Sequence, residues 1–316
     1  MIEVTLANVA IEPTNECNLN CKMCFARGKS RELGRMDMTN FMSIVDELKT
    51  IQTICAVSLN FGGEPLVHPG FISMMKLISN NGWRTGFATN AMLVTPSVAA
   101  NIVNNQITQV DIGLDAVGPK VEELRRGTKY DIVKRNIKTL IEIREATRSQ
   151  YPIVGINCAM TNDHTLMDIL KLVEEMYDIV DMIRILPARN ENLSLQHEEL
   201  FNYVDTGKGE QNSFCSSPDN YMGIMWNGDV VPCCWDLSSK TIMGNVFTDG
   251  GVQAVFDNER YSSLRELSHR GFRLNEQEEK LLNGDVCPAK YAGMTRCLGC
   301  KVWQKQRGIA LGKKVC

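Results

Sequence analysis

Thr108-Gln109-Val110-Asp111-Ile112-Gly113-Leu114-Asp115 alternates polar and apolar positions from Gln109 onward. Successive side chains of a strand point to opposite faces. If Val110, Ile112 and Leu114 pack against helices, Asp111, Gly113 and Asp115 therefore line the other face. Working outward, strand-like runs at 7–12, 55–61, 83–90, 152–160 and 179–186 put Ser58, Asn60, Asn90, Asn157 and Arg184 on that second face. Amphipathic stretches at 39–51, 69–80, 96–104, 130–148 and 165–177 lie between the runs. Thr39 before Asn40-Phe41 and Thr95 before Pro96 read as helix starts. A βα unit repeated six times implies right-handed crossovers and a parallel sheet. A closed eight-stranded barrel fills its interior with branched apolar residues. The polar inner face instead suits a six-stranded (β/α)6 partial TIM barrel holding a polar cofactor, an α/β fold.

The chain has 316 residues, 44% hydrophobic and 22% charged, which excludes a largely disordered protein. With 34 basic against 37 acidic residues it lacks the basic footprint of a nucleic-acid binder. No signal peptide and no long apolar span is visible, so the expected location is cytoplasmic, with no membrane partner. After about residue 190 the βα pattern stops, and 202–212 is polar with Gly207 and Gly209. The expected domains are therefore 1–205, the barrel, and 206–316, a small segment with strand-like pieces at 223–226 and 230–232 and a helix at 261–270. Twelve cysteines stand out: three lie in 17–24 and seven in 215–316. In a reducing compartment close spacing points to metal ligands before disulfides.

Cys17-Asn18-Leu19-Asn20-Cys21-Lys22-Met23-Cys24 follows the first strand, at the carboxyl end where parallel α/β folds place their chemistry. Three thiolates on one loop can hold three irons of a 4Fe-4S cluster and leave one iron open. A zinc knuckle with a distant fourth ligand is the alternative.

This Cx3CxxC loop resembles the signature of radical S-adenosylmethionine (SAM) enzymes. Gly62-Gly63-Glu64-Pro65, at the end of the second strand, is similar to the same family's GGEP motif, which contacts the methionine amino group. Ala88-Thr89-Asn90 and Asp111-Ile112-Gly113-Leu114-Asp115-Ala116 with Arg125-Arg126-Gly127 resemble its TNG and SLDG…RG segments. The resemblance implies Cys17, Cys21 and Cys24 as cluster ligands. It implies SAM contacts at Gly62, Gly63, Glu64, Pro65, Asn90, Asp115 and Arg126. Ala91 in place of glycine and Gly113 in place of serine leave those two positions without an assigned ribose contact. It further implies reductive cleavage of SAM to a 5′-deoxyadenosyl radical that takes a carbon-bound hydrogen, fed by a flavodoxin- or ferredoxin-type electron donor.

Cys215, twelve residues, Gly228, four residues and Cys233, then Cys297-Leu298-Gly299-Cys300, resemble the twitch and SPASM extensions of that family. These imply one auxiliary 4Fe-4S cluster on Cys215, Cys233, Cys297 and Cys300, two clusters in all. A structural zinc on the same thiolates, in a zinc-stapled non-enzymatic binding protein, is the rival from another class. Trp226 and Trp235 flank this site and are expected to cover it. His68 is expected to cap or pack, and Cys55 and Cys158 to be small buried packing residues.

Relatives with a single auxiliary cluster include aminocyclitol dehydrogenases and epimerases of aminoglycosides and peptides. The chain starts at the first barrel strand, which leaves no room for an N-terminal leader-peptide module and favours a small sugar-like substrate over a peptide. Two reactions compete. Arg184 and Asp111 would bind the SAM carboxylate or the substrate or, in dehydrogenation, take a proton from an oxidised intermediate, with a structural ion pair an equal reading. Epimerisation would use Cys234 or Cys287 as hydrogen-atom donor, with spectator thiols as the plain alternative.

Overall fold

Branched and aromatic residues at alternate positions give short strands whose buried side is apolar, and the helices between them bury one stripe each against that side. The structure, a computed structural model, describes residues 4–24, 31–187, 215–234, 236–237, 239 and 241–270. Its elements run β1 (Asn8–Ile11), β2 (Asn20–Cys21), α1 (Met38–Leu48), β3 (Ala56–Leu59), α2 (Phe71–Ser79), β4 (Arg84–Thr89), α3 (Pro96–Asn104) and β5 (Gln109–Gly113). They continue α4 (Gly118–Leu124), β6 (Arg125–Arg126), α5 (Tyr130–Ala146), β7 (Ile153–Met160), α6 (Leu166–Met176) and β8 (Met182–Pro187). After Cys215 come α7 (Ser217–Asn220), β9 (Tyr221–Ile224), β10 (Asp229–Val231), β11 (Gly244–Asn245), α8 (Val252–Phe256) and α9 (Glu259–His269).

β1, β3, β4, β5, β7 and β8 are neighbours in that order and all parallel, the expected six-stranded partial barrel. Register partners share a face. The pairs Ser58 with Gly86, Ala88 with Asp111, Gly113 with Asn157 and Asn157 with Arg184 therefore set the polar residues on one face, as the alternation required. The other face carries Val57, Phe87, Val110, Ile112, Val154 and Ile156, all buried in the core.

Three details differ from expectation. α1 is capped by Asp37, whose carboxylate accepts from the Thr39 amide at 2.7 Å, so Thr39 lies inside the helix rather than at its cap. Cys55 is exposed and precedes β3, where a buried packing role was expected; Cys158, in β7, is buried. The chain after residue 205 also adds to the barrel sheet. β9 lies parallel to β1, with Asn8 opposite Tyr221 and Ile11 opposite Ile224, and β10 and β11 extend it antiparallel. The outer edge of β1 has unpaired peptide groups until a strand covers it. β9 meets that need with Met222, Gly223 and Ile224 buried.

Candidate active site

The cysteine loop is held at both ends by its apolar residues and in the middle by its backbone. Leu19 and Met23 are buried, while Cys17, Cys21 and Cys24 are half-buried. β2 pairs antiparallel with β6, Asn20 opposite Arg126 and Cys21 opposite Arg125, and the Lys22 amide donates to the Leu124 carbonyl at 2.9 Å. The Cys17 sulfur accepts from the Leu19 amide at 3.4 Å. Burial pushes the Cys21 thiol up to about 11; Arg125 pulls it down, while Cys24, Asp115 and Cys17 push it further up. Cys17 and Cys24 are thus each within electrostatic reach of Cys21. Among the described residues no three Cys, His, Asp or Glu side chains converge as ligands of a single ion would.

The GGEP turn is pressed onto the segment just ahead of Cys17. The Glu64 amide donates to the Glu16 carbonyl at 2.8 Å and the Gly62 amide to Glu12 Oε1 at 3.0 Å. A Cβ on Gly63 would lie inside contact distance of the Thr14 and Glu16 carbonyl oxygens, so only glycine permits this approach. The Glu64 side chain turns to the end of β4. Its buried carboxylate accepts from the Thr89 hydroxyl at 2.7 Å, the Asn90 amide at 2.7 Å and the Leu66 amide at 3.3 Å. Burial pushes its carboxyl up to about 6, while the Asn90, Thr89 and Leu66 donors pull it back down and tie it to the end of β4. Asn90 in turn donates to Asn18 Oδ1 at 2.8 Å, tying the end of β4 to the cysteine loop. Pro65 opens the following short turn and is buried. His68 packs rather than ligates: Nδ1 accepts from the Gly70 amide at 3.0 Å, which leaves Nε2 to donate to the Met36 carbonyl at 2.9 Å.

Asp115 is fully buried and pairs with Arg125 through two hydrogen bonds, 2.6 Å from Nε and 3.0 Å from Nη2. Burial opposes the guanidinium charge, but Asp115, then Cys21 and Cys24, hold Arg125 above its ordinary value. Arg126, named from the sequence, is exposed; the neighbour that faces the cysteine loop is Arg125. The two departures from the family pattern now have physical readings. Ala91 keeps a left-handed backbone at φ 60°, the conformation a glycine would take. A Cβ on Gly113 would sit 2.6 Å from Arg125 Nη1, so the guanidinium occupies the space a serine would need. Gly113→Ser is accordingly expected to cost roughly 1–3 kcal/mol by overpacking. Urea unfolding of the metal-free chain measures it, and an unchanged midpoint would refute the steric reading.

On the inner face Arg184 Nη1 donates to Asp111 Oδ1 at 2.7 Å and to Asn157 Oδ1 at 3.0 Å. Gln109 also donates to Asp111 Oδ1, at 2.8 Å, so Oδ2 takes no hydrogen bond from a described residue. Asp111 lines an open cleft of about 280 Å³ with Ser58, Asn60, Arg84 and Gln109.

Cys215, Cys233 and Cys234 come from one folded unit. The Cys215 amide donates to Ser268 Oγ at 3.2 Å, and Ser268 Oγ donates back to the Cys215 carbonyl at 2.6 Å, fixing it against α9. Ser217 donates to the Pro232 carbonyl at 2.9 Å, which joins the start of that unit to the residue before Cys233. Gly228 turns the chain between β9 and β10 at φ 89°. Cys233 is half-buried and Cys234 exposed. Cys287, Cys297, Cys300 and Trp235 lie outside the described residues. Trp226 is placed against the barrel, its ring filling the space where Gly34 lacks a side chain.

The sequence reading missed Glu12 and Arg31. Glu12, fully buried at the end of β1, forms two bonds with Arg31, at 3.0 and 2.5 Å. It also accepts from the Gly62 amide and, at 3.2 Å, from the Trp226 amide, while Arg31 reaches the Leu237 carbonyl at 3.4 Å. One buried carboxylate thus joins β1, the GGEP turn and the β9–β10 turn. Its sequence signal was an acid directly after a buried strand; its partners are 19 to 214 positions away.

The profile of the radical SAM superfamily matches residues 11–176, more than half of the chain. The chain belongs to the radical SAM superfamily. A second profile, an iron-sulfur cluster-binding domain (SPASM), matches 215–301. The tungsten-containing aldehyde ferredoxin oxidoreductase cofactor-modifying protein of Pyrococcus furiosus is 24% identical over 81% of this chain and 82% of its own. The mycofactocin maturase MftC of Mycobacterium tuberculosis (strain CDC 1551 / Oshkosh) is 25% identical over 82% of this chain and 73% of its own. Among solved structures, Streptococcus suis SuiB bound to its precursor peptide SuiA aligns with TM-score 0.67, 18% identity, and 83% and 67% coverage. BtrN in complex with AdoMet and 2-DOIA aligns with TM-score 0.54, 18% identity, and 85% and 89% coverage; at these identities the two structures establish the fold.

Radical SAM and SPASM domains carry 4Fe-4S clusters and use SAM, and the residues present fit those groups. Three half-buried soft thiols on one loop suit irons that each take one thiolate. The superfamily assignment replaces the zinc-stapled binding protein. Among the described residues no helix is long and apolar enough to cross a membrane.

Proposed function

We propose that this radical SAM enzyme oxidises its substrate by removing two hydrogens from one site, and that the substrate is a peptide. The observation that carries the oxidative reading is the Asp111–Arg184 arrangement. Arg184 and Gln109 both reach Asp111 through Oδ1, so Oδ2, on a residue that lines the open cleft, is the oxygen we assign as proton acceptor. Cys17, Cys21 and Cys24 would hold the first cluster, and Cys215, Cys233, Cys297 and Cys300 the second. When bound, these groups supply the 5′-deoxyadenosyl radical from SAM and an acceptor for the remaining electron.

Three carrier segments orient the chemistry. Gly62 and Gly63 bring the GGEP turn onto the cysteine loop, Asn90 ties β4 to Asn18, and Asp115 fixes Arg125 beside Cys21. The peptide assignment draws on SuiB, whose structure holds a precursor peptide, and we prefer it to the sugar-like substrate expected from the sequence. BtrN, recorded with 2-DOIA, keeps an aminocyclitol as the second reading.

Anaerobically reconstituted protein with SAM and dithionite is expected to release 5′-deoxyadenosine, and Cys17→Ala or Cys21→Ala to abolish it. With pooled short peptides and aminocyclitols offered in heavy water, the product should lose two hydrogens and carry no carbon-bound deuterium. Deuterium at carbon with unchanged hydrogen count would replace oxidation by epimerisation and direct attention to Cys234.

A further inference from the structure

Tyr221 opens β9, and its hydroxyl is buried with no hydrogen-bond partner among the described residues. Its placement is not loose. The Tyr221 carbonyl accepts from the Tyr261 hydroxyl at 3.0 Å, and fully buried Tyr261 is itself covered by the Arg265 guanidinium, 4.9 Å from its ring centre. An orphaned buried O–H costs roughly 1–3 kcal/mol, so a native fold keeps one where an acceptor is bound.

The nature of that acceptor follows from the neighbours. β10 pairs antiparallel with β9, Val230 opposite Ile224 and Val231 opposite Gly223, and continuing that register brings Cys233 across from Tyr221. Burial pushes the Tyr221 hydroxyl well above its ordinary value, and the Cys234 and Cys233 thiols push it further. Beyond them, Ser239 and Thr241 also hold buried hydroxyls with no partner among the described residues. An unpartnered buried hydroxyl on the strand paired to the Cys233 segment lacks an acceptor, which a ligated cluster would provide through its cysteinates and sulfides.

We propose that the Tyr221 hydroxyl donates a hydrogen bond to the auxiliary cluster at its Cys233 corner and raises the reduction potential of that cluster. This rests on Cys233 being a ligand of the SPASM cluster. The physical reason for the sign is charge. The reduced cluster is more negative, so a donor to its sulfur stabilises it more than the oxidised form. Tyr221 would thereby make the auxiliary cluster a better acceptor of the electron that oxidation leaves behind.

The test uses the full chain with Cys17, Cys21 and Cys24 all changed to alanine, so that only the auxiliary cluster loads. Iron content is measured first, then the potential by titration followed by electron paramagnetic resonance. Tyr221→Phe is expected to keep its iron and to shift the potential negative. The expected size is on the order of tenfold in the reduced-to-oxidised ratio, about 59 mV for one electron. Incorporation of 3-fluorotyrosine at 221, a stronger donor of the same shape, should shift it positive. A fully loaded Tyr221→Phe protein with unchanged potential overturns the proposal, and so does loss of iron in that variant, which would show a packing role. If the triple-alanine parent takes up no iron at all, the ligand assignment fails and the proposal with it, a result visible before any potential is read.

Discussion

Glu12→Ala is expected to destabilise the metal-free chain by about 3–5 kcal/mol, because it strands a mostly buried Arg31 guanidinium without its counter-charge. The charge is only part of the loss. Glu12 also accepts from the Gly62 and Trp226 amides, and both become unsatisfied donors. SAM cleavage should therefore fall in any protein that still folds, since the GGEP turn loses one of its anchors on β1. Anaerobic urea unfolding, with 5′-deoxyadenosine release measured below the transition, reads both effects. Glu12→Leu combined with Arg31→Met should recover much of the stability, because replacing both partners by apolar groups removes the stranded charge, yet it should not recover cleavage. A single Glu12→Ala variant with wild-type midpoint and cleavage would show that the carboxylate joins nothing of consequence.

Gly63→Ala is expected to reduce SAM cleavage by about a hundredfold, the order of loss that a 1 Å misplacement of positioned groups produces. The added methyl meets backbone on three sides: the Thr14 and Glu16 carbonyl oxygens and, at 2.8 Å, the Asn15 carbonyl carbon. None of these can swing aside as a side chain would. The GGEP turn must lift away from the residues leading to Cys17, and the hydrogen bond from the Glu64 amide to Glu16 stretches with it. Gly82→Ala is the control. Gly82 has φ 74° but open space around its Cβ position, so alanine there costs roughly 1–2 kcal/mol of backbone strain and should leave cleavage per folded molecule unchanged. Equal losses in the two variants would attribute the effect to folding rather than to the approach of the two motifs.

The barrel was legible because its signals are local. Alternation in 108–115 assigned Asp111 and Gly113 to the inner face, and the register agrees. Thr95 with Pro96 marked the start of α3 to the residue, and the 165–177 stretch carries a capping box between Thr165 and Asp168. α4 and β6 were not seen, because seven residues of helix and two of strand carry too short a period to register. β6 exists only because β2 pairs with it.

For the site, cysteine spacing and the GGEP, Asn90 and Asp115 segments were readable as motifs, whereas their division of labour was not. Nothing in Arg125-Arg126 distinguishes the residue that turns inward to Asp115 from the one that faces water. That choice belongs to the antiparallel register between β2 and β6. Glu64 reads as a binding residue in its motif, yet its carboxylate braces Thr89 and Asn90. Glu12, with its partner Arg31, had no motif at all.

By itself the sequence determined the alternation that makes a six-stranded parallel barrel, the thiols that can take iron and the superfamily to which they belong. All of these follow from the spacing of residue types along the chain, which no folding step can change. Tertiary structure decided that β9 completes the edge of β1, that Arg125 rather than Arg126 faces the cysteine loop, and that Glu12 joins two turns more than 150 residues apart. These depend on which unsatisfied peptide edge and which buried charge find partners in space, and a buried group must find one wherever in the chain it lies.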